Sequence, residues 1–144
     1  MLQTTRSNAL VERWPETPDT PVTRLPSTPI HSATRKNKMI KVSFMYPYSE
    51  NARFDIDYYC SHHMPWVAGL LGTTLKGWSA DVGLGGGAPG SKPLYVAAGH
   101  LLFDSVDAFK AAVAPHAKAF ADDLTNYTDG DPAVVQISEV RASS

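Results

Sequence analysis

The chain has 144 residues, enough for one ordinary domain, and its 43% hydrophobic and 19% charged content is that of a soluble globular protein. A formal net charge of −1 gives no basis for nucleic acid or an anionic membrane as partner. A single cysteine, Cys60, excludes an intrachain disulfide and lacks the paired spacing of a zinc site.

No apolar run approaches the roughly 18 residues of a membrane span. Residues 1–30 also lack the continuous apolar core of a secretory signal. A cytoplasmic or organellar protein is expected. Residues 1–38 hold six basic and three acidic side chains and five prolines (Pro15, Pro18, Pro21, Pro26, Pro29). So little apolar surface cannot offset chain entropy, which predicts a disordered Pro/Ser/Thr-rich extension. It reads either as a dispensable stretch ahead of Met39 or as a targeting segment. A globular domain is expected over 39–144.

From Met39 the pattern changes. Ile40, Val42, Phe44 and Tyr46 alternate with Lys41, Ser43 and Met45, which predicts a strand ended by Pro47. Phe54 to Leu71 reads as a helix, with Asp55 as N-cap, Phe54 packing on Tyr59 as a hydrophobic staple, and Gly72 closing it. Thr74 to Leu84 predicts a second strand, Gly83 to Pro93 a loop, and Leu94 to Phe103 a third strand. A second helix starts at Asp104 or Ser105; Val106, Phe109, Val113, Ala117, Phe120 and Leu124 keep helical spacing, and Pro115 should kink or divide it. After a turn at Asn126 to Pro132, Ala133 to Val140 makes the last strand.

The order βαββαβ is the ferredoxin-like α+β sandwich, a four-stranded antiparallel sheet with two helices on one face. The other face should then be polar. Yet the third strand carries Leu94, Val96, Ala98 and Leu102 on one side and Tyr95, Leu101 and Phe103 on the other. A second copy covering that face, a sheet-to-sheet homodimer, is the inference.

Chemistry concentrates in Tyr58-Tyr59-Cys60-Ser61-His62-His63-Met64-Pro65. Tyr59 and His63 are four apart and share a helix face. An imidazole can accept and donate protons near neutral pH, and a neighbouring phenol can orient it or bind a substrate oxygen. Pro65 lacks an N–H and so frees the Ser61 carbonyl; His63 either turns into a pocket there or bonds that carbonyl. His62 points away, and Cys60 has no activating cation and reads as packing. His100 lies within the apolar strand Ala97-Ala98-Gly99-His100-Leu101, where a buried imidazole needs a partner or faces a ligand. Tyr46 could place its hydroxyl at the mouth of the same cavity. His116 is expected at the surface, and Trp66 and Trp78 in the core or a dimer contact. The four histidines 62, 63, 100 and 116 make a poor metal set, because adjacent histidines on a helix diverge.

Two motifs mislead. Gly85-Gly86-Gly87-Ala88-Pro89-Gly90 matches G-x-G-x-x-G but precedes a strand rather than opening a helix. Asn126-Tyr127-Thr128 is a glycosylation sequon without a secretory context. No phosphate loop, Ser/His/Asp signature or redox cysteine pair appears.

Taken in order, Met39-Ile40-Lys41-Val42-Ser43, Phe54-Asp55 with Tyr58-Tyr59, His63-Met64-Pro65, Leu75-Lys76-Gly77, Gly99-His100-Leu101-Leu102-Phe103-Asp104-Ser105, Asn126-Tyr127-Thr128-Asp129 and Gln136-Ile137-Ser138-Glu139 resemble the EthD family of the dimeric α+β barrel superfamily. The resemblance runs from Met39 to about Val140. It implies a ferredoxin-like protomer that dimerises through its sheets. The family is named for a protein that accompanies an oxidative system in bacterial degradation of a fuel ether. The resemblance therefore implies a cofactor-free, metal-independent oxidoreductase or acid/base enzyme on a phenolic, lactone or polyketide-like small molecule. It carries His63 and His100 over as site residues, with Tyr46 and Tyr59 beside them. A non-catalytic accessory subunit of an oxygenase and a haem-binding barrel are the alternatives.

Overall fold

The computed structural model describes residues 38–144, so the expectation for the extension lies, Lys38 apart, outside the described residues. Four strands form one antiparallel sheet: β1 Ile40–Pro47, β2 Gly77–Val82, β3 Tyr95–Phe103 and β4 Val134–Glu139, in the order β2-β3-β1-β4. Two helical segments, α1 over residues 56–71 and α2 over 106–127, complete the βαββαβ order. The fold is the expected ferredoxin-like α+β sandwich.

The register fixes which residues face the helices. Ile40, Val42, Phe44 and Tyr46 stand opposite Phe103, Leu101, Gly99 and Ala97. Directly opposed residues share a face and alternate residues switch it. That side is the core, where Val42, Phe103 and Phe109 are fully buried and the rings of Phe103 and Phe109 meet at 5.2 Å. Each such side chain contributes roughly 1.5–3 kcal/mol.

The other face carries Lys41, Ser43 and Met45 on β1; Ser79 and Asp81 on β2; Val96, Ala98, His100 and Leu102 on β3; and Val134, Gln136 and Ser138 on β4. Apolar residues lie there as the third strand suggested. A polar strip through Ser43, His100 and Gln136 crosses them.

Helix α1 starts as the sequence indicates. Asp55 caps it, its carboxylate accepting from Tyr58 N–H at 3.0 Å, and Phe54 meets Tyr59 at 5.4 Å between ring centroids. The helix then loosens near His63, as the proline at position 65 suggests. A short α turn, Ile56–Tyr58, passes into a π segment, Tyr59–His63, before α geometry resumes over Met64–Leu71. Proline cannot supply an N–H at position 65, and Met64 N–H instead reaches back five residues to the Tyr59 carbonyl. Gly72, at φ 59°, ends the helix and leads into a 3-10 turn, Gly72–Thr74. That turn takes Thr74, the first residue expected in β2, and the strand is shorter at both ends than the sequence pattern suggests.

Ser105 caps α2 by accepting from Ala108 N–H at 3.0 Å. A 3-10 turn at Ala114–His116 divides the helix at Pro115, as expected, into Val106–Val113 and Ala117–Tyr127. The helix then runs through Asn126 and Tyr127, where the sequence pattern suggests a turn. Among the described residues no helix is long and apolar enough to cross a membrane.

Candidate active site between the two helices

A clip at the ends of the helices sets the site. Phe54 and Thr128 form a β-bridge, Asp55 N–H donates to the Tyr127 carbonyl at 2.7 Å, and Thr128 Oγ1 donates to the Arg53 carbonyl at 2.8 Å. The start of α1 and the end of α2 are thereby joined. His63, two turns along α1, comes to face Asp123, one turn back from the end of α2.

His63 Nδ1 lies 2.7 Å from Asp123 Oδ2, with side-chain exposures of 8% and 14%. The other carboxylate oxygen accepts from Tyr58 Oη at 2.9 Å and from Asn126 Nδ2 at 2.8 Å. Three donors thus converge on one carboxylate. A carboxylate accepts only, so the ring proton of neutral His63 sits on Nδ1 and Nε2 is left as a bare lone pair. Every buried side-chain nitrogen and oxygen among the described residues has a partner. Nε2 has no partner among the described residues, so it is the end of the imidazole that they leave open.

Burial opposes a charge on His63 and outweighs the pull of Asp123, so its pKa lies below the ordinary histidine value. Burial pushes Asp123 upward, but the hydrogen bonds from Asn126, His63 and Tyr58 prevail and hold its carboxyl below the usual range. The two trends fit one state: ionised Asp123 and neutral His63 at neutral pH.

Aromatic rings enclose the pair. His63 stacks on Tyr59 at 5.3 Å with a 15° interplanar angle and lies 4.7 Å from Tyr127. The π segment allows this stacking, because its wider turn brings residues four apart almost one above the other; Tyr58 and His62 stack the same way at 5.1 Å. Tyr46 Oη and Tyr127 Oη share a hydrogen bond at 2.8 Å. Burial pushes the phenols of Tyr46, Tyr59 and Tyr127 well upward, so all three remain protonated. On the outer side Trp66 lies 5.9 Å from His63 and 5.4 Å from Phe120, with 39% of its surface exposed. A cavity of about 10 Å³ beside Tyr46, Pro47 and Thr128 has room for about one water, too little for a substrate.

The family model described as the EthD domain matches residues 50–131. The chain belongs to the EthD family. An EthD-like protein from Ralstonia eutropha is 43% identical, with a TM-score of 0.71 over 76% of this chain and 97% of that one. An EthD family protein from Bacillus halodurans shares the fold at 17% identity, with a TM-score of 0.53 over 70% of this chain and 97% of that one. Hydroxynitrile lyase from Passiflora edulis is only loosely similar, at 15% identity and a TM-score of 0.47 over 76% of this chain and 99% of that one. No curated protein matches the chain.

The fold brings together three of the four residues singled out from the sequence: His63, Tyr59 and Tyr46. His100 is not among them. A Cβ on Gly99 would overlap Tyr59 Oη, so Gly99 faces the helices and His100, its strand neighbour, faces away. His63 and His100 therefore lie on opposite sides of the sheet, and one pocket shared by His100, Tyr46 and His63 is ruled out. His63 also does not turn to the Ser61 carbonyl; it bonds to Asp123. His116 is half-buried against Phe120 rather than at the surface, and Trp66 and Trp78 are partly exposed rather than core. Cys60 is half-buried, and burial pushes its thiol up.

Sequence reasoning missed Asp123, Tyr127 and Asn126. An Asp122-Asp123 pair on a helix reads as a solvated face. The available signal was spacing, since Asp123, Asn126 and Tyr127 stand at i, i+3 and i+4 beside the apolar Phe120 and Leu124.

Proposed function

We propose that the chain is a small acid/base enzyme in which His63 is the general base and Asp123 holds it in the reactive tautomer. The 2.7 Å contact between His63 Nδ1 and Asp123 Oδ2, with Nε2 left open, carries this reading. A base of this kind removes a proton from an acidic O–H or C–H, and the buried, protonated phenols beside it donate hydrogen bonds to the oxygen that gains charge. Phenols, lactones and polyketide-like 1,3-dicarbonyl compounds carry such protons, and the exposed edge of Trp66 suits a flat ring. Once formed, the phenolate or enolate can isomerise, decarboxylate or react with oxygen by its own electronics, so the base needs no metal or cofactor for its step.

The sheet face that no described element covers supports a homodimer. Met45, Val96, Leu102 and Val134 make apolar flanks, and a second copy with the same twist would bury them in an isologous contact.

The test uses proton exchange, which does not require the natural substrate. A panel of phenols and 1,3-dicarbonyl compounds in deuterated buffer is followed by NMR with wild-type protein and with His63→Gln. Exchange accelerated by the wild type and slowed about 10²-fold or more in the variant is expected. Equal rates with folded proteins would refute the assignment.

A further inference from the structure

A polar row crosses the middle of the sheet face turned away from the helices, and the His63 site does not use it. Ser79 on β2, His100 on β3, Ser43 on β1 and Gln136 on β4 stand side by side, one from each strand. Ser43 Oγ lies 2.7 Å from His100 Nδ1, and Asp81 Oδ2, one diagonal step away, lies 3.0 Å from His100 Nε2. Apolar neighbours flank the row, with Ala98, Met45 and Val134 on one side and Leu102 on the other.

Elimination assigns the hydrogens. A carboxylate only accepts, so Nε2 carries the ring proton; Nδ1 of the neutral ring then accepts, and Ser43 O–H donates to it. Both nitrogens of the neutral imidazole are thus matched. A second proton breaks that pattern: Nδ1 becomes a donor, and the Ser43 hydroxyl has to turn its own hydrogen elsewhere. Ser43 is only 7% exposed, so little water is at hand to take it.

We propose that His100 makes the homodimer pH-sensitive: the dimer holds the ring neutral, and protonation drives the two copies apart. The inference rests on the sheet-to-sheet homodimer proposed above and adds its regulation. An isologous contact centred on this face sets the middle of one polar row against the middle of the other, so His100 and Ser43 meet the same pair of the second copy.

The charges that face His100 decide the sign. β2 brings Asp81 and β1 brings Lys41, diagonal to His100; β4 brings the uncharged Gln136 and Ser138, and β3 itself Ala98 and Leu102. Lys41 and Asp81 cancel, so the strands present a neutral face while His100 is neutral and a positive one when it is protonated. Two such faces in contact place like charges across the two-fold axis, where water is excluded. Asp81 favours the charged ring. Its side chain is 60% exposed, however, and it pairs with His100 in the separate protomer as well, so its pull favours neither state of assembly. Burial and the charge of the second copy both oppose protonation in the dimer. Separate protomers then bind protons more readily than the dimer does, and by linkage the dimer weakens as pH falls.

The experiment measures the dimer dissociation constant of the full chain by sedimentation over a concentration series, in steps from about pH 8 to about pH 5.5, where histidine changes charge. Two histidines per dimer lose their fit, so Kd should rise at least about tenfold towards the acid end, with circular dichroism unchanged. His100→Gln cannot take the proton and should leave Kd nearly flat. Asp81→Asn removes the carboxylate that favours the charged ring, so Kd should begin to rise at a lower pH; this exposed position decides if His100→Gln does not fold. A dimer whose Kd stays level or falls in acid, a full acid effect in His100→Gln, or an unshifted profile in Asp81→Asn would each overturn the proposal and leave the homodimer standing. A monomer at every pH would remove both.

Discussion

Replacing Asp123 by Asn changes one atom and separates a positioning role from a packing role. The carboxylate takes three donors, His63 Nδ1–H on Oδ2 and both Tyr58 Oη–H and Asn126 Nδ2–H on Oδ1. An amide offers one oxygen and one NH2, so one side must meet donor with donor. An NH2 in place of Oδ1 opposes two donors. In place of Oδ2 it opposes one, and His63 relieves that conflict without moving, by shifting its proton to Nε2. The variant therefore selects the Nε2–H tautomer, and the atom that should act as base becomes a donor. A wrong-tautomer defect in a comparable dyad costs about 10⁴ in rate, so a loss of about 10²–10⁴ is expected here.

Stability should fall far less. One charge-assisted hydrogen bond is worth about 1.5–3 kcal/mol, and each kcal/mol moves the midpoint of a chain this size by about 3–5 °C. Long-range proton–nitrogen NMR reads the tautomer without any substrate, and proton exchange reads the activity. Two results would refute the reasoning: His63 keeping its proton on Nδ1 in Asp123→Asn, or a swapped tautomer with undiminished exchange. In the double variant with His63→Gln, activity should be no lower than in His63→Gln alone, because the two residues act as one unit.

Other consequences follow from the same geometry. Gly99→Ala would put a methyl group onto Tyr59 Oη and displace a buried phenol from the rings around His63, so urea denaturation should show a loss of about 1–3 kcal/mol; an unchanged midpoint would mean that the contact is slack. Val134→Glu places a charge on an exposed apolar position of the open face, and sedimentation should shift from dimer towards monomer without loss of secondary structure; a wild-type monomer would remove the dimer proposal. The lowered pKa of His63 makes stability pH-dependent in a definite direction. The unfolded chain takes that proton first as pH falls below about 6.5, so stability should decline from there through the folded value and be flat above it as far as this group is concerned. His63→Gln should flatten that slope in urea titrations at stepwise pH, and an identical slope would point to other groups.

The elements were legible because their signals are local. Alternation marked β1, Asp55 and Ser105 marked the helix starts, and Pro115 marked the break in α2. Partners were not legible because they are set by register and by helix docking. His100 and Tyr46 looked like neighbours because both belong to adjoining strands. Their faces differ, since Tyr46 pairs with Ala97 and Ser43 with His100. A one-residue step along a strand reverses the face, and nothing in the composition of the segment records it. In the same way Ser43, Asp81 and His100 are separated widely in the chain, and only the pairing of β1 and β2 with β3 assembles them.

The proline at position 65 shows how a local rule produced a tertiary result. Its missing N–H was expected to loosen α1 near His63, and the chain answers with one wide turn instead of a break. A regular α turn separates residues four apart by about 40° around the axis. The π turn reduces that offset, which lets Tyr59 and His63 stack at 15° while both remain buried. The stacked phenol fills the space on one side of the imidazole and Tyr127 fills another. The ring is held by its neighbours as well as by Asp123. Rotation of His63 away from the carboxylate would have to displace buried aromatic rings, so Nε2 keeps its direction even without a ligand. An uninterrupted α-helix would offset the two rings, and it would place residue 63 at a different angle to Asp123. The proline thus acts on the site through backbone geometry, by setting the direction from which His63 on α1 meets Asp123 on α2.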